Sequence, residues 1–82
     1  MHIDAIRHAI RQGPFVPFLL RMNDGRVFNV PHPDYLAVAR RFLIFVDPET
    51  DTPIWIEPVL IASLEFTGRP APPPQDGAEA NP

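Results

Sequence analysis

Twelve prolines are spread over 82 residues, and their positions limit every regular element this chain can form. Proline holds φ near −65° and removes a backbone donor, so a strand cannot carry one through the middle of a sheet. Pro14, Pro17, Pro31, Pro33, Pro48, Pro53 and Pro58 divide the body of the chain into short apolar stretches. Such a chain is held to short strands with sharp bends.

The remaining prolines mark where the domain stops. After Gly68 the sequence reads Arg69-Pro-Ala-Pro-Pro-Pro-Gln-Asp-Gly-Ala-Glu-Ala-Asn-Pro82, with no large apolar side chain to join a core. We read residues 1–66 as the domain and 67–82 as a disordered, partly polyproline tail. Pro70 and Pro73 satisfy Pro-x-x-Pro, yet the basic residue that usually flanks such ligands is not correctly placed. A domain this small hides only ~60% of its unfolded surface and usually recruits a disulfide, a metal or a partner. There is no cysteine, so a partner subunit is the favoured answer.

Several functions are excluded early. Without cysteine or lysine there is no thiolate nucleophile, no Schiff base and no lysine for a phosphate loop. Ser63 is the only serine and lacks the glycines of a nucleophile elbow, so no enzyme activity is expected. A net charge of −3 disfavours broad nucleic-acid binding, and no DNA partner is expected. No apolar run approaches the ~20 residues of a membrane span, and the start lacks a signal-peptide layout. The absence of cysteine is compatible with a cytoplasmic location.

Along the chain, residues 4–12 read as a helix with Asp4 as N-cap, Ile3, Ile6 and Ile10 as its apolar stripe, and Gly13-Pro14 as its stop. From Phe15 the period changes to two. A three-residue turn Asn23-Asp24-Gly25 puts Leu20 opposite Phe28 and Phe18 opposite Val30, gathering the large apolar groups. Pro31-His32-Pro33 bends the second strand, which resumes at Tyr35–Val38. Phe42–Val46 is apolar on both faces, and Asp47–Pro53 is a polar loop. Ile54–Ile56 is a short strand, and Glu57-Pro58 breaks the chain before a final strand over Val59–Phe66. Alternation places Leu60, Ala62, Leu64 and Phe66 on the inner face of that strand, with Val59 and Ile61 outside.

Helix, hairpin Met22-Asn-Asp-Gly-Arg-Val-Phe28 and Ile54-Trp-Ile-Glu-Pro-Val-Leu-Ile-Ala-Ser-Leu-Glu-Phe66 together resemble the Sm-like family in layout. The resemblance implies a mainly β fold, with an N-terminal α-helix followed by a small, strongly bent five-stranded antiparallel barrel. It also implies a homo-oligomeric ring and RNA as a partner. Two positions depart from that family's pattern. Pro31 and Pro33 stand where a glycine usually lets the second strand bend. Asp34 aligns with the RNA-contacting aspartate, but Val38 stands in place of the asparagine. A closer resemblance is to short uncharacterised bacterial proteins with a Pro-Phe-x-Pro-Phe start (Pro14–Phe18), an Asp-Gly-Arg hairpin (Asp24–Arg26) and a Val-Pro-His-Pro turn (Val30–Pro33).

Three constellations have chemical potential. Asp47-x-Glu49-x-Asp51 offers oxygens at alternate positions, but Pro58 stands where a calcium loop needs a glutamate. His2, Asp4 and His8 provide too few ligands for zinc, so neither a metal nor any other cofactor is expected. Arg26, His32, Asp34, Tyr35, Arg40 and Arg41 could form a rim for a ligand or for RNA, with stacking and cationic groups. The preferred expectation is a non-catalytic, self-assembling interaction module. Its self-association surface comprises Ile54, Trp55, Ile56, Val59, Ile61 and Ser63, with Ile54–Ile56 pairing against Val59–Phe66 of a neighbour.

Overall fold

The computed structural model describes residues 1–68; of the expected tail, 67–82, Thr67 is tied to the domain by its amide donating to the Pro17 carbonyl at 2.9 Å, and residues 69–82 lie outside the described part. One helix, α1 (Ile3–Arg11), precedes six strands: β1 (Phe18–Met22), β2 (Val27–Val30), β3 (Leu36–Val38), β4 (Leu43–Asp47), β5 (Thr52–Ile56) and β6 (Ile61–Phe66). They form two antiparallel three-stranded sheets, ordered β2-β1-β6 and β3-β4-β5. The architecture is mainly β, as expected. The expected closed five-stranded barrel is not seen: there are six strands, in two sheets. The reason lies at Pro31–Tyr35. Pro33–Tyr35 is a 3-10 turn, with Pro33 in its first turn, so the bent second strand is interrupted and its halves join different sheets.

The helix begins one residue earlier than expected, because His2 rather than Asp4 caps it. The His2 imidazole Nδ1 accepts the Asp4 amide at 3.1 Å. Asp4 instead lies in the first turn, where a carboxylate suits the helix dipole, and accepts from Arg7 Nη1 at 2.5 Å. Ile6 and Ala9 are buried, with Ile3 and Ile10 packed against the core. Arg7 reaches across to donate to the Ala39 carbonyl at 3.0 Å. A helix this short cannot persist alone; its apolar stripe and this one long reach hold it to the sheets.

The β1–β2 hairpin has the expected register. Phe18 pairs with Val30 and Leu20 with Phe28, the Met22 amide donates to the Arg26 carbonyl at 2.8 Å, and Gly25 sits at φ 94°. Only glycine adopts that conformation without steric cost.

The final strand departs from simple alternation. Residues Pro58–Leu60 form a second 3-10 turn, which delays β6 until Ile61. A register shift then follows: Met22 pairs with Ile61 but Arg21 with Ser63. The extra residue, Ala62, inverts the parity of the strand. Ile61 and Leu64 therefore both face inward. Ile61 is only 3% exposed, while Leu60 and Phe66, expected inside, are about half exposed; Ala62 is exposed as well.

The core comprises Ile6, Ala9, Phe18, Leu20, Met22, Phe28, Val30, Leu36, Leu43, Phe45, Ile56 and Ile61. Phe28 and Phe45 meet between the sheets with ring centroids 5.1 Å apart. Leu20→Ala should lower unfolding free energy by about 2–5 kcal/mol, whereas Leu60→Ala, measured at concentrations where the chain is monomeric, should stay within about 0.5 kcal/mol. Urea titration of both variants checks the inversion at Ala62, because simple alternation would make Leu60 a core residue too.

Candidate interaction surface

The proposed rim residues are held by local contacts and do not converge. Asp24 accepts the Arg26 backbone N–H at 3.0 Å and its Nε at 2.8 Å. The Arg26 guanidinium carbon also lies 5.4 Å from the Phe28 ring centroid. His32 Nδ1 accepts the Asp34 amide at 3.2 Å, so the imidazole caps the 3-10 turn while the Asp34 side chain stays in solvent. Tyr35 packs against the core. Arg40 and Arg41 are exposed on the β3–β4 loop. Among the described residues, no hydrogen bond or ion pair connects the Arg26, His32–Asp34 and Arg40–Arg41 groups.

The self-association residues divide into two groups. Trp55 is 57% exposed and Val59 is 73% exposed, and Ile54 and Ser63 are half-buried. Ile56 and Ile61 are core residues. Their side chains are removed from the expected surface, Ile61 by the inverted parity at Ala62 and Ile56 because it pairs with buried Leu43 on the inner face.

What remains at this end of the molecule is an apolar turn beside the outermost strands of the two sheets, with the Met1 ammonium donating to the Pro58 carbonyl at 3.0 Å and the Ile61 carbonyl at 3.5 Å. Asn23 ties that turn to the hairpin: its amide donates to the Leu60 carbonyl at 2.8 Å, and its Nδ2 to the Val59 carbonyl at 3.4 Å. Val59 and Leu60 thereby present their side chains outward. A groove of about 400 Å³ runs beside them, lined by Met1, Ile3, Arg41, Glu57 and Val59 among others. β5 and β6 are each the outermost strand of their sheet.

One feature of this surface escaped the sequence reading. Phe42, just before β4, stacks on Trp55 with centroids 3.9 Å apart and planes 8° from parallel. The Trp55 indole N–H donates to the Glu57 carboxylate. The pair follows from the register between strands: Ile44 pairs with Trp55, and Phe42, two residues earlier, shares the outer face of the sheet.

On the outer face of the other sheet, Arg21 Nε donates to Glu65 Oε2 at 2.6 Å, and the Ser63 hydroxyl donates to the same oxygen at 3.2 Å. The Arg21 hydrogen bond is the main cause that holds the Glu65 carboxyl below the ordinary range. Asp24 is lowered too, chiefly by the Arg26 backbone N–H. The Asp47 carboxylate is engaged by its own loop, accepting the Glu49 amide at 2.9 Å. Among the described residues, no three His, Asp or Glu side chains are grouped closely enough to hold a metal ion, and no helix is long and apolar enough to cross a membrane.

Searches of protein-family models, curated proteins and solved structures found no match to this chain.

A depressed carboxyl stabilises the fold fully above its unfolded pKa, and that contribution is lost as pH falls through the folded value. The Glu65 resonance, followed by NMR, should titrate below the ordinary carboxylate range. Arg21→Gln should return it toward that range and remove the corresponding acid-side loss of stability. An unchanged Glu65 midpoint in this variant would show that the ion pair does not form in solution.

Proposed function

We propose that this chain is a non-catalytic interaction module that assembles with copies of itself by strand pairing, in the manner of an Sm-like small barrel. On this reading, β2 and β3 are two halves of one bent strand, split by the Pro31–Tyr35 turn. The two sheets are then the two sides of an opened barrel. The observation that carries the proposal is that β5 and β6 are outer strands of different sheets. An outer strand presents a row of unpaired N–H and C=O groups and is a template for another chain.

Pairing β5 of one copy with β6 of the next would join the sheet β3-β4-β5 to β6-β1-β2 across the contact. The two surfaces differ, so the contact is head-to-tail and repeats from copy to copy until it closes into a ring. Exposed Val59 and Leu60, held outward by Asn23, lie beside the seam and add apolar area to it. Burying a valine or leucine side chain contributes roughly 1.5–3 kcal/mol. The small core, with no disulfide to support it, gains most from such a contact.

RNA binding, which the Sm-like resemblance also implies, lacks a comparable support. Its candidate contacts Arg26 and His32 are occupied by Asp24 and the Asp34 amide.

Light scattering on a sizing column at two concentrations should find a multimer of fixed mass. Val59→Glu, which changes an exposed side chain outside the core, should lower that mass while leaving the circular dichroism unchanged. A parent protein that is monomeric at both concentrations would refute the proposal. So would a Val59→Glu variant, and a companion Ala62→Lys variant on the β6 edge, that both keep the parent mass.

A further inference from the structure

The two sheets differ in what their outer faces carry. On β2-β1-β6 that face holds Arg21, Asn29, Ser63 and Glu65, with Arg21 and Ser63 both donating to Glu65. This is the polar pattern of a sheet face that meets water. On β3-β4-β5 the outer positions are Ala37, Phe42, Ile44, Val46, Pro53 and Trp55. None of these carries a charge, and the one polar group among their side chains, the Trp55 indole N–H, is already held by Glu57. Ala37, Pro53 and Trp55 are exposed, and Phe42, Ile44 and Val46 are half-buried. A continuous apolar sheet face of this kind is one half of a β-sandwich.

We propose that the other half is a second copy of this chain, packed face to face about a two-fold axis that lies across the strands. Charge selects both the occupant and its direction. Arg40 and Arg41 stand just before β4, beside Glu57, whereas Asp47, Glu49 and Asp51 stand at its far end. The first end therefore holds two cations and one anion, and the second holds three anions. Among the described residues, no ion pair engages Arg40, Arg41, Asp47, Glu49 or Asp51. A copy turned end for end lays the arginine end of each chain over the acidic end of the other, twice per dimer. A copy facing the same way would set acid against acid. A face that is apolar in the middle, basic at one end and acidic at the other is thus complementary to itself reversed. Facing sheets pack about 10 Å apart, a gap that an arginine and a glutamate side chain span together. The contact uses side chains on the face of β5, whereas the proposed ring seam uses backbone groups at its edge, so neither depends on the other.

Trp55 is the only tryptophan and lies within this contact, so the full-length chain carries its own probe. Acrylamide quenching of Trp55 should be slow at high protein concentration and become faster on dilution. Arg41→Glu and Glu49→Arg change exposed side chains outside the core, so the fold is not at risk. Each should weaken the dimer roughly tenfold, because each reversal acts twice per dimer. A chain carrying both substitutions should recover most of the parent's affinity, since each reversed end then meets its reversed counterpart. Within one chain the two positions are separated by the length of β4, so recovery requires a second copy in the opposite direction. Quenching that does not change with concentration would overturn the proposal, as would a double variant that binds no more tightly than either single one. Val59→Glu should leave the concentration dependence in place. Its loss in that variant would assign the protection of Trp55 to the β5–β6 seam and overturn the face-to-face contact as well.

Discussion

The structure depends on β1. Phe18 and Leu20 are paired on both sides, to Val30 and Phe28 in one direction and to Phe66 and Leu64 in the other. Both side chains are fully buried. This one strand brings the first hairpin and the last strand of the domain into a common sheet, and its inward residues are the centre of the core. Phe18 also contacts the rings of Phe15 and Phe66, at centroid distances of 5.9 Å and 6.2 Å. Each well-packed aromatic pair contributes about 0.5–1.5 kcal/mol beyond its buried area. With no disulfide in the chain, the shared core, with its inter-sheet Phe28–Phe45 contact, holds the two sheets together.

The prolines then determine what is left unpaired. Pro31 and Pro33 interrupt the extended chain between β2 and β3, and Pro58 opens the 3-10 turn between β5 and β6. A continuous strand at either place would carry pairing from one sheet to the other. The breaks instead leave β2 and β6 at the edges of one sheet and β3 and β5 at the edges of the other, with an apolar turn between β5 and β6. Natural proteins usually protect such edges with charge, bulges or a covering element. Here β6 has a bulge at Ala62, while the adjoining turn exposes Val59 and Leu60. On the proposed reading, a partner strand from another copy covers this edge.

Much of this was legible in the sequence, and the exceptions have local causes. The hairpin register followed from parity because a regular ladder preserves alternation and Gly25 supplies the one residue the loop needs. The element order followed from the punctuation by proline and glycine. Parity failed in β6 because a bulge inserts one unpaired residue, and neither Ala62 nor its neighbours differ in type from ordinary strand residues. That single insertion moved Ile61 from the expected association surface into the core. The expected second strand became two separate elements because the chain at His32–Tyr35 closes a 3-10 turn, where Pro33 already has a suitable φ. The expected rim did not gather: Arg26 and His32 each found a nearer partner within two residues along the chain, Asp24 and Asp34, and no hydrogen bond or ion pair among the described residues brings Arg40 and Arg41 to them. The Phe42–Trp55 stack depends on a cross-strand register that pattern reading within single strands does not supply.

The central claim is that the open edges of β5 and β6 are paired between copies, and backbone hydrogen exchange tests it most directly. The account predicts that amides in β5 and β6 are protected at high protein concentration and lose part of that protection on dilution, while the outer strand β3 behaves the same at both. Equal exchange in β5 and β6 at all concentrations, at the rate of an unpaired edge, would contradict it.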